Sequence, residues 1–259
     1  MGKLKSIMRI LAWVVVIGLP LYFLVATWGT KFGLVSLKFG FGKMVYGWGA
    51  KVMIGSAVIG LIALIAAFLK PRKGVGVAAL ALILPVAGIL YAGSIKKSAE
   101  GLPFIHDVTT DTADPPMFTQ AILKQRGEGT NPTDYVGKKD PRGKELVSVL
   151  QASGYPDIKS QNFSSDRAAV SQAAREVVVD FYGHAEDDAA DGANATLVQG
   201  THTTFWFGFK DDVIIRIRDD GQGGSIVDMR SLSRVGGSDI GANAARIRKL
   251  QAALDKKVD

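Results

Sequence analysis

DDVIIRIRDDGQGGSIVDMRSLSRV, residues 211–235, decides how the second half of this chain folds. Two β-rich runs, Val213 to Arg218 and Ser225 to Val235, flank Asp219 to Gly224, a glycine-rich turn too short for a crossover, so the strands pair antiparallel. Alternation sorts their side chains by face. Val213, Ile215 and Ile217 point one way and Asp212, Ile214, Arg216 and Arg218 the other; on the next strand Val227, Met229, Ser231, Ser233 and Val235 alternate with Asp228, Arg230, Leu232 and Arg234. One face is largely apolar, and the other gathers four arginines around Asp212 and Asp228.

Outward from this hairpin, Thr196 to Phe207 reads as a preceding strand, on which His202, Thr204 and Trp206 are expected to continue the arginine face. Ser165 or Asp166 can cap a helix through Ala168, Val170, Ala173 and Ala174, and the β-branched and aromatic run Val177 to Tyr182 predicts a strand taking over near Glu176. An acidic loop, Glu186 to Asp191, follows. A last helix from Asp239 to about Lys256 places Ile240, Ala244, Ile247, Leu250 and Leu254 on one stripe. Helix, four strands and helix predict a two-layer α+β domain, a four-stranded antiparallel sheet covered on one face by helices. Before it, Asp114-Pro115-Pro116, Asn131-Pro132, Asp140-Pro141 and Tyr155-Pro156 interrupt residues 98–157. Apart from a strand around Phe104 to Val108 and a helix around Gly143 to Ala152, that segment reads as an irregular strap over the core built by residues 158–259.

The first 97 residues differ in kind. All 24 acids of the chain lie from Glu100 onward, and 12 of the 31 basic residues precede Ser98. Ile10 to Thr30, Val52 to Leu69 and Gly74 to Ile95 carry no charge, and each reaches the roughly 18 residues that cross a bilayer, so residues 1–97 read as a three-span anchor and 98–259 as a water-exposed domain. A cleaved signal peptide fits the first run poorly, because the run is too long and lacks a small-residue cleavage site. No Asp, Glu, His, Lys or Arg lies within a span, which argues against a proton relay or ion pathway there. Ser56 with Gly60 and Ala63 with Ala67 are small residues four apart, suited to close helix packing or to a homo-oligomer through the helices.

Orientation rests on charge density. Lys70 to Lys73 is a tight basic turn, whereas Lys31, Lys38, Lys43 and Lys51 are interleaved with Phe39, Phe41, Tyr46 and Trp48 and suit an interfacial segment with snorkelling lysines. The expected arrangement is an inner-membrane protein with its tail and tight turn in the cytoplasm and the soluble domain outside. That domain holds 19 basic residues against 24 acids, which disfavours nucleic acid as a partner. With no cysteine, disulfides and thiol chemistry are excluded. His106, His184 and His202 are scattered without metal-ligand spacing, so neither a metal nor another cofactor is expected.

Two readings of the arginine face stand side by side. Cross-strand Arg and Asp pairs can lace a solvated sheet surface, or the surplus guanidinium groups can bind an anion. Gly236-Gly237-Ser238-Asp239 either turns the chain and caps the last helix or presents free amides to the same anion. The candidate ligand-binding residues are Arg216, Arg218, Arg230, Ser233, Arg234, Ser238, Asp239, Asn243 and Arg246; catalytic residues are not identifiable from spacing.

The runs Asp211-Asp212-Val213, Val227 to Gly236 and Ser238 to Ile247, with Asp114-Pro115-Pro116 and Tyr155 to Ile158 upstream, resemble the signature of the domain of unknown function family numbered 1499, over about residues 103 to 255. The resemblance implies a bacterial or plastid-type domain, often carried with a membrane or export segment, and no established activity. Against that family the loop from Glu186 to Gly192 looks like an insertion. The function expected is a non-enzymatic cell-envelope module that binds an anionic small molecule, a lipid headgroup or an envelope protein. Alternatives are an enzyme acting on an anionic envelope substrate through the Arg, Ser, Asp and Asn cluster, and a structural subunit of a membrane assembly.

Overall fold

In a computed structural model that describes residues 2–69, 72–186 and 194–258, the chain divides into two units: Met1–Glu100 with Phe205–Gly208, and Gly101–Thr204 with Phe209–Asp259. Lys70 of the tight basic turn and most of the Glu186 to Gly192 loop lie outside the described residues.

The helical unit contains α1 (Gly2–Lys31), a π-helix (Lys38–Trp48), α2 (Gly49–Phe68) and α3 (Val75–Ala99). Three helical stretches, Lys3–Lys31, Lys38–Phe68 and Val75–Ala99, are long and apolar enough to cross a membrane. The aromatic stretch after α1 is helical. It winds as an 11-residue π-helix that runs directly into α2, so the second apolar helix starts at Lys38 rather than near Val52. Ala63, Ala67, Ala78 and Ala81 are buried with Met8, Ala12 and Val15 where the helices meet. At Gly60 a Cβ would lie 2.4 Å from the Ala81 carbonyl oxygen, so α2 and α3 approach through a position that only glycine can fill.

The second unit is α+β with an antiparallel sheet. Strands β3 (Ala195–Thr203), β4 (Lys210–Asp219) and β5 (Ser225–Ser233) form a meander, and two short strands, β1 (Asp107–Thr109) and β2 (Gln161–Phe163), share the outer edge of β5. The sheet order is β1-β5-β4-β3 with β2 also on β5. Helices α4 (Gln120–Gln125), α5 (Val147–Gly154), α6 (Arg167–Tyr182) and α7 (Ala242–Val258) complete the unit.

The strand expected at Val177 to Tyr182 is the second half of α6. Asp166 starts this helix by accepting a hydrogen bond from the Ala169 amide (2.8 Å), and Gly183 ends it at φ 75°. Val170, Ala173, Ala174, Val177 and Val178 are the buried positions, an i, i+3, i+4, i+7, i+8 stripe that overrides the β preference of three consecutive valines. The fourth and fifth strands come instead from the strap and from residues 161–163.

On one face of the sheet Val198, Val213, Ile215, Ile217, Val227 and Met229 pack with Val170, Val177 and Val178 of α6 and Ala244, Ile247, Leu250 and Leu254 of α7. The other face is buried too. Leu197, Ile214 and Leu232 pack against Phe118 and Ile122, so the strap covers the face read from the sequence as either a solvated Arg and Asp surface or an anion site.

Candidate functional site

Strand alternation carries Arg216, Arg230 and Arg234 to the strap side, where all three are buried and Arg230 is completely inaccessible. Charge buried in this way needs neutralising partners and hydrogen bonds. Three aspartates with inaccessible side chains supply the charge, each held by two cations. Asp228 accepts from Arg216 Nε (3.2 Å) and Nη2 (2.9 Å) and from Arg218 Nη2 (2.7 Å), with a further bond from Ser160 Oγ (2.6 Å). Asp212 accepts from Arg234 Nε (3.0 Å) and Nη2 (2.7 Å), from Arg126 and from Thr201 Oγ1 (2.9 Å). Asp107 accepts from Arg230 Nε (3.0 Å) and Nη2 (2.9 Å) and from Lys138 Nζ (3.2 Å).

The donors that remain reach the strap backbone. Arg216 Nη2 donates to the Asp114 carbonyl (2.7 Å), Arg234 Nη1 to Gln125 (2.8 Å), Arg126 Nη2 to Asn131 (2.7 Å), and Arg230 to Pro116 (Nη1, 3.2 Å) and Thr133 (Nη2). A buried segment with little regular structure has carbonyl groups that no ladder satisfies. The guanidinium fork, with five donors in fixed geometry, satisfies several of them from one side chain. The Arg230 guanidinium also stands over the Phe118 and Tyr135 rings, 5.3 and 5.6 Å from their centroids.

Four arginines outnumber two aspartates on the hairpin alone. With the strap in place, Arg126 and Lys138 join the cations while Asp107, Asp111 and Asp114 join the carboxylates, so six cations face five carboxylates. Arg218 is the half-exposed member of this set, and its Nε has no partner among the described residues.

The other candidate residues lie across the sheet. Asn243 is buried at the start of α7, donates through Nδ2 to the His106 carbonyl (2.9 Å) and to Ser233 Oγ (3.0 Å), and accepts at Oδ1 from Ser231 Oγ (2.7 Å). Arg246 donates to Ser231 Oγ (2.9 Å), to Asn243 Oδ1 and to Asp211 Oδ2 (2.7 Å). Asp239 accepts from the Gly241 (2.9 Å) and Asn243 (2.7 Å) amides, and burial pushes its carboxyl above the usual carboxylate range although those two amides pull it down. Ser238 Oγ accepts from the Ile240 amide (3.2 Å), and Ile240, β-branched and at φ 53°, is the one non-glycine residue with positive φ among those described. The Ile240, Gly241 and Asn243 amides at the start of α7 thus already have side-chain acceptors.

The nine candidates therefore form two clusters rather than one. Arg216, Arg218, Arg230 and Arg234 face the strap, while Ser233, Asn243 and Arg246, with Ser238 and Asp239 on the adjoining turn, belong to the α7 side. His202 also joins the α7 side. Gly200 pairs with Val213 and His202 with Asp211, so Leu197, Gln199 and Thr201 continue the arginine face, and the His202 ring packs 6.1 Å from Tyr182. Thr204 and Trp206 lie beyond the end of β3.

Burial chiefly, with Lys138 assisting, lowers the pKa of His106, and burial with Arg246 lowers that of His202. Burial pushes the Tyr155 and Tyr182 hydroxyls up to about 12, and neither Oη has a hydrogen-bond partner among the described residues. No group of three or more His, Asp or Glu able to hold a metal occurs among the described residues. The partners that the hairpin sequence did not reveal, Asp107, Asp111, Asp114, Arg126, Asn131 and Lys138, all come from the strap. Its prolines were the available signal, since a buried segment that cannot form a ladder requires donors from elsewhere.

No curated protein and no solved structure matches this chain. One family model does, described as protein of unknown function (DUF1499), over residues 107–254, which span β1 to α7 and every buried Arg–Asp pair described above. That match covers more than half of the sequence, and the chain belongs to the DUF1499 family.

Proposed function

We propose that the protein is a non-enzymatic accessory module of a bacterial cell envelope, anchored in the inner membrane by its three apolar helices and presenting the α+β unit to an envelope protein. The observation that carries this reading is the occupancy of the guanidinium groups: Arg216, Arg230 and Arg234 are fully engaged by aspartates and strap carbonyls. Their geometry is that of a scaffold. A small anion arriving there would have to displace a buried carboxylate already held by two cations. Ser231 and Ser233 are buried hydroxyls tied to Asn243, which argues against either one as a nucleophile.

The test compares ligand and protein binding on the full chain. Thermal unfolding in detergent with phosphate, phosphoglycerol and dicarboxylates is expected to show no stabilisation, while crosslinking in native membranes yields a discrete protein adduct. An anion that adds about 2.7 kcal/mol at a hundredfold its dissociation constant, and loses the effect in Arg246→Ala, would overturn the reading in favour of an anion site.

A further inference from the structure

The connection between β3 and β4 reads Phe205-Trp206-Phe207-Gly208-Phe209-Lys210. Hairpin turns ordinarily carry polar residues and glycine, because they project into water. Here three aromatic residues occur in succession, and Phe205 and Trp206 are 62% and 54% exposed. The tip groups with the helical unit. Within that unit the Phe205 ring lies edge-on to Trp28 at 6.1 Å, the Phe207 ring edge-on to Phe41 at 5.2 Å, and Lys31 Nζ donates to the Phe205 carbonyl at 2.9 Å. Trp28, Lys31 and Phe41 flank the end of the first apolar helix and the start of the second. Aromatic rings mixed with lysines at helix ends are the composition of a bilayer interface, where amphipathic rings sit at headgroup level. Three spans also require that the connection after Lys31 and everything beyond Ala99 share one side of the membrane.

We propose that the Phe205–Phe207 turn is a lipid-interface anchor, with the Phe205 and Trp206 rings entering the headgroup–acyl boundary of the leaflet that meets the Lys31 end of α1. Lipid is the occupant because the exposed rings belong to a set already flanked by Lys31, Lys38 and Lys43, whose charge suits anionic headgroups and which has no acidic residue in the first 99 positions to oppose it.

The absence of cysteine allows a direct depth measurement on the full chain. Nitroxide labels are placed singly at Phe205→Cys, Trp206→Cys, Val58→Cys in α2 and Gln222→Cys in the β4–β5 turn. The labelled proteins are reconstituted in phosphatidylcholine and phosphatidylglycerol vesicles, and broadening by oxygen and by a water-soluble nickel chelate is compared. The expected result is loss of nickel broadening and gain of oxygen broadening at 205 and 206 relative to 222, with 58 deeper still. Nickel accessibility at 205 and 206 equal to that at 222, with 58 protected, would overturn the proposal and leave the spans intact. Shielding of 205 and 206 from both reagents would also overturn it, by showing a protein contact such as a second copy. Because the proposal rests on the helices spanning the bilayer, nickel accessibility at 58 would remove that reading and the proposal together.

Discussion

Arg230 donates through Nε and Nη2 to both oxygens of Asp107 and through Nη1 and Nη2 to the Pro116 and Thr133 carbonyls. Lysine retains the charge but not the fork, so Arg230→Lys is expected to leave strap carbonyls without donors, at about 1–3 kcal/mol for each buried group. Arg230→Ala, which strands the Asp107 carboxylate beside Lys138 alone, is expected to cost about 3–5 kcal/mol. Denaturant titration of the purified chain measures both, with Arg248→Ala at the exposed Asp157 pair changing stability by no more than about 1 kcal/mol. His106 supplies a pH dependence. Its Nδ1 lies 3.3 Å from the Gly237 carbonyl and so carries the proton of the neutral ring, while Nε2 is buried with no partner among the described residues. Burial and Lys138 lower the folded pKa below that of the unfolded ring, near 6.5. The unfolded chain therefore binds the extra proton as pH falls below about 6.5, and the contribution of the neutral ring, fully present above that pH, is lost on acidification. Melting temperature should fall less between about pH 7 and pH 5 in His106→Gln than in the parent chain.

At the scale of elements, the approach of α2 to α3 depends on the missing side chain at Gly60. Gly60→Ala puts a methyl group against the Ala81 carbonyl and is expected to destabilise the helical unit by about 1–3 kcal/mol, despite the better helix propensity of alanine. Unfolding in mixed detergent measures the loss, and Gly55→Ala, where a Cβ would meet no atom within 4 Å, is the control. Helix α6 shows the limit of reading elements from residue type. Three valines and two aromatics suggested a strand over residues 177–182, whereas the buried stripe from Val170 to Val178 has helical spacing and was available in the sequence. The face assignments along β4 and β5 needed only the two-residue period of a strand. That of β3 needed its register, and the pairing of His202 with Asp211 turns this histidine away from the arginines.

For the molecule as a whole, three helices long and apolar enough to cross a membrane precede the α+β unit, and the basic residues between the second and third of them are the ground for the orientation we propose. We expect the N-terminal tail and the Lys70 to Lys73 turn to be cytoplasmic and the α+β unit to be outside. Single cysteines at Ser6 and at Gln222 should then react with a membrane-impermeant maleimide in opposite ways, with Gln222→Cys labelled in intact spheroplasts and Ser6→Cys labelled only after lysis. The reverse pattern would place the family domain in the cytoplasm and redirect the search for its protein partner there.

The sequence by itself determined the two-part organisation, the apolar helices, the antiparallel pairing of residues 211–235 and the sorting of their side chains. Each depends on local quantities: run length, turn length and the two-residue period of a strand. Which partners Arg216, Arg230 and Arg234 take was decided only by tertiary structure. Asp107, Asp114, Gln125 and Thr133 reach them from more than 90 residues away in the chain. A buried strap with little regular structure brings aspartates and free carbonyl groups to these guanidinium groups, and partners so distant in the chain cannot be read from the two-residue period of the hairpin.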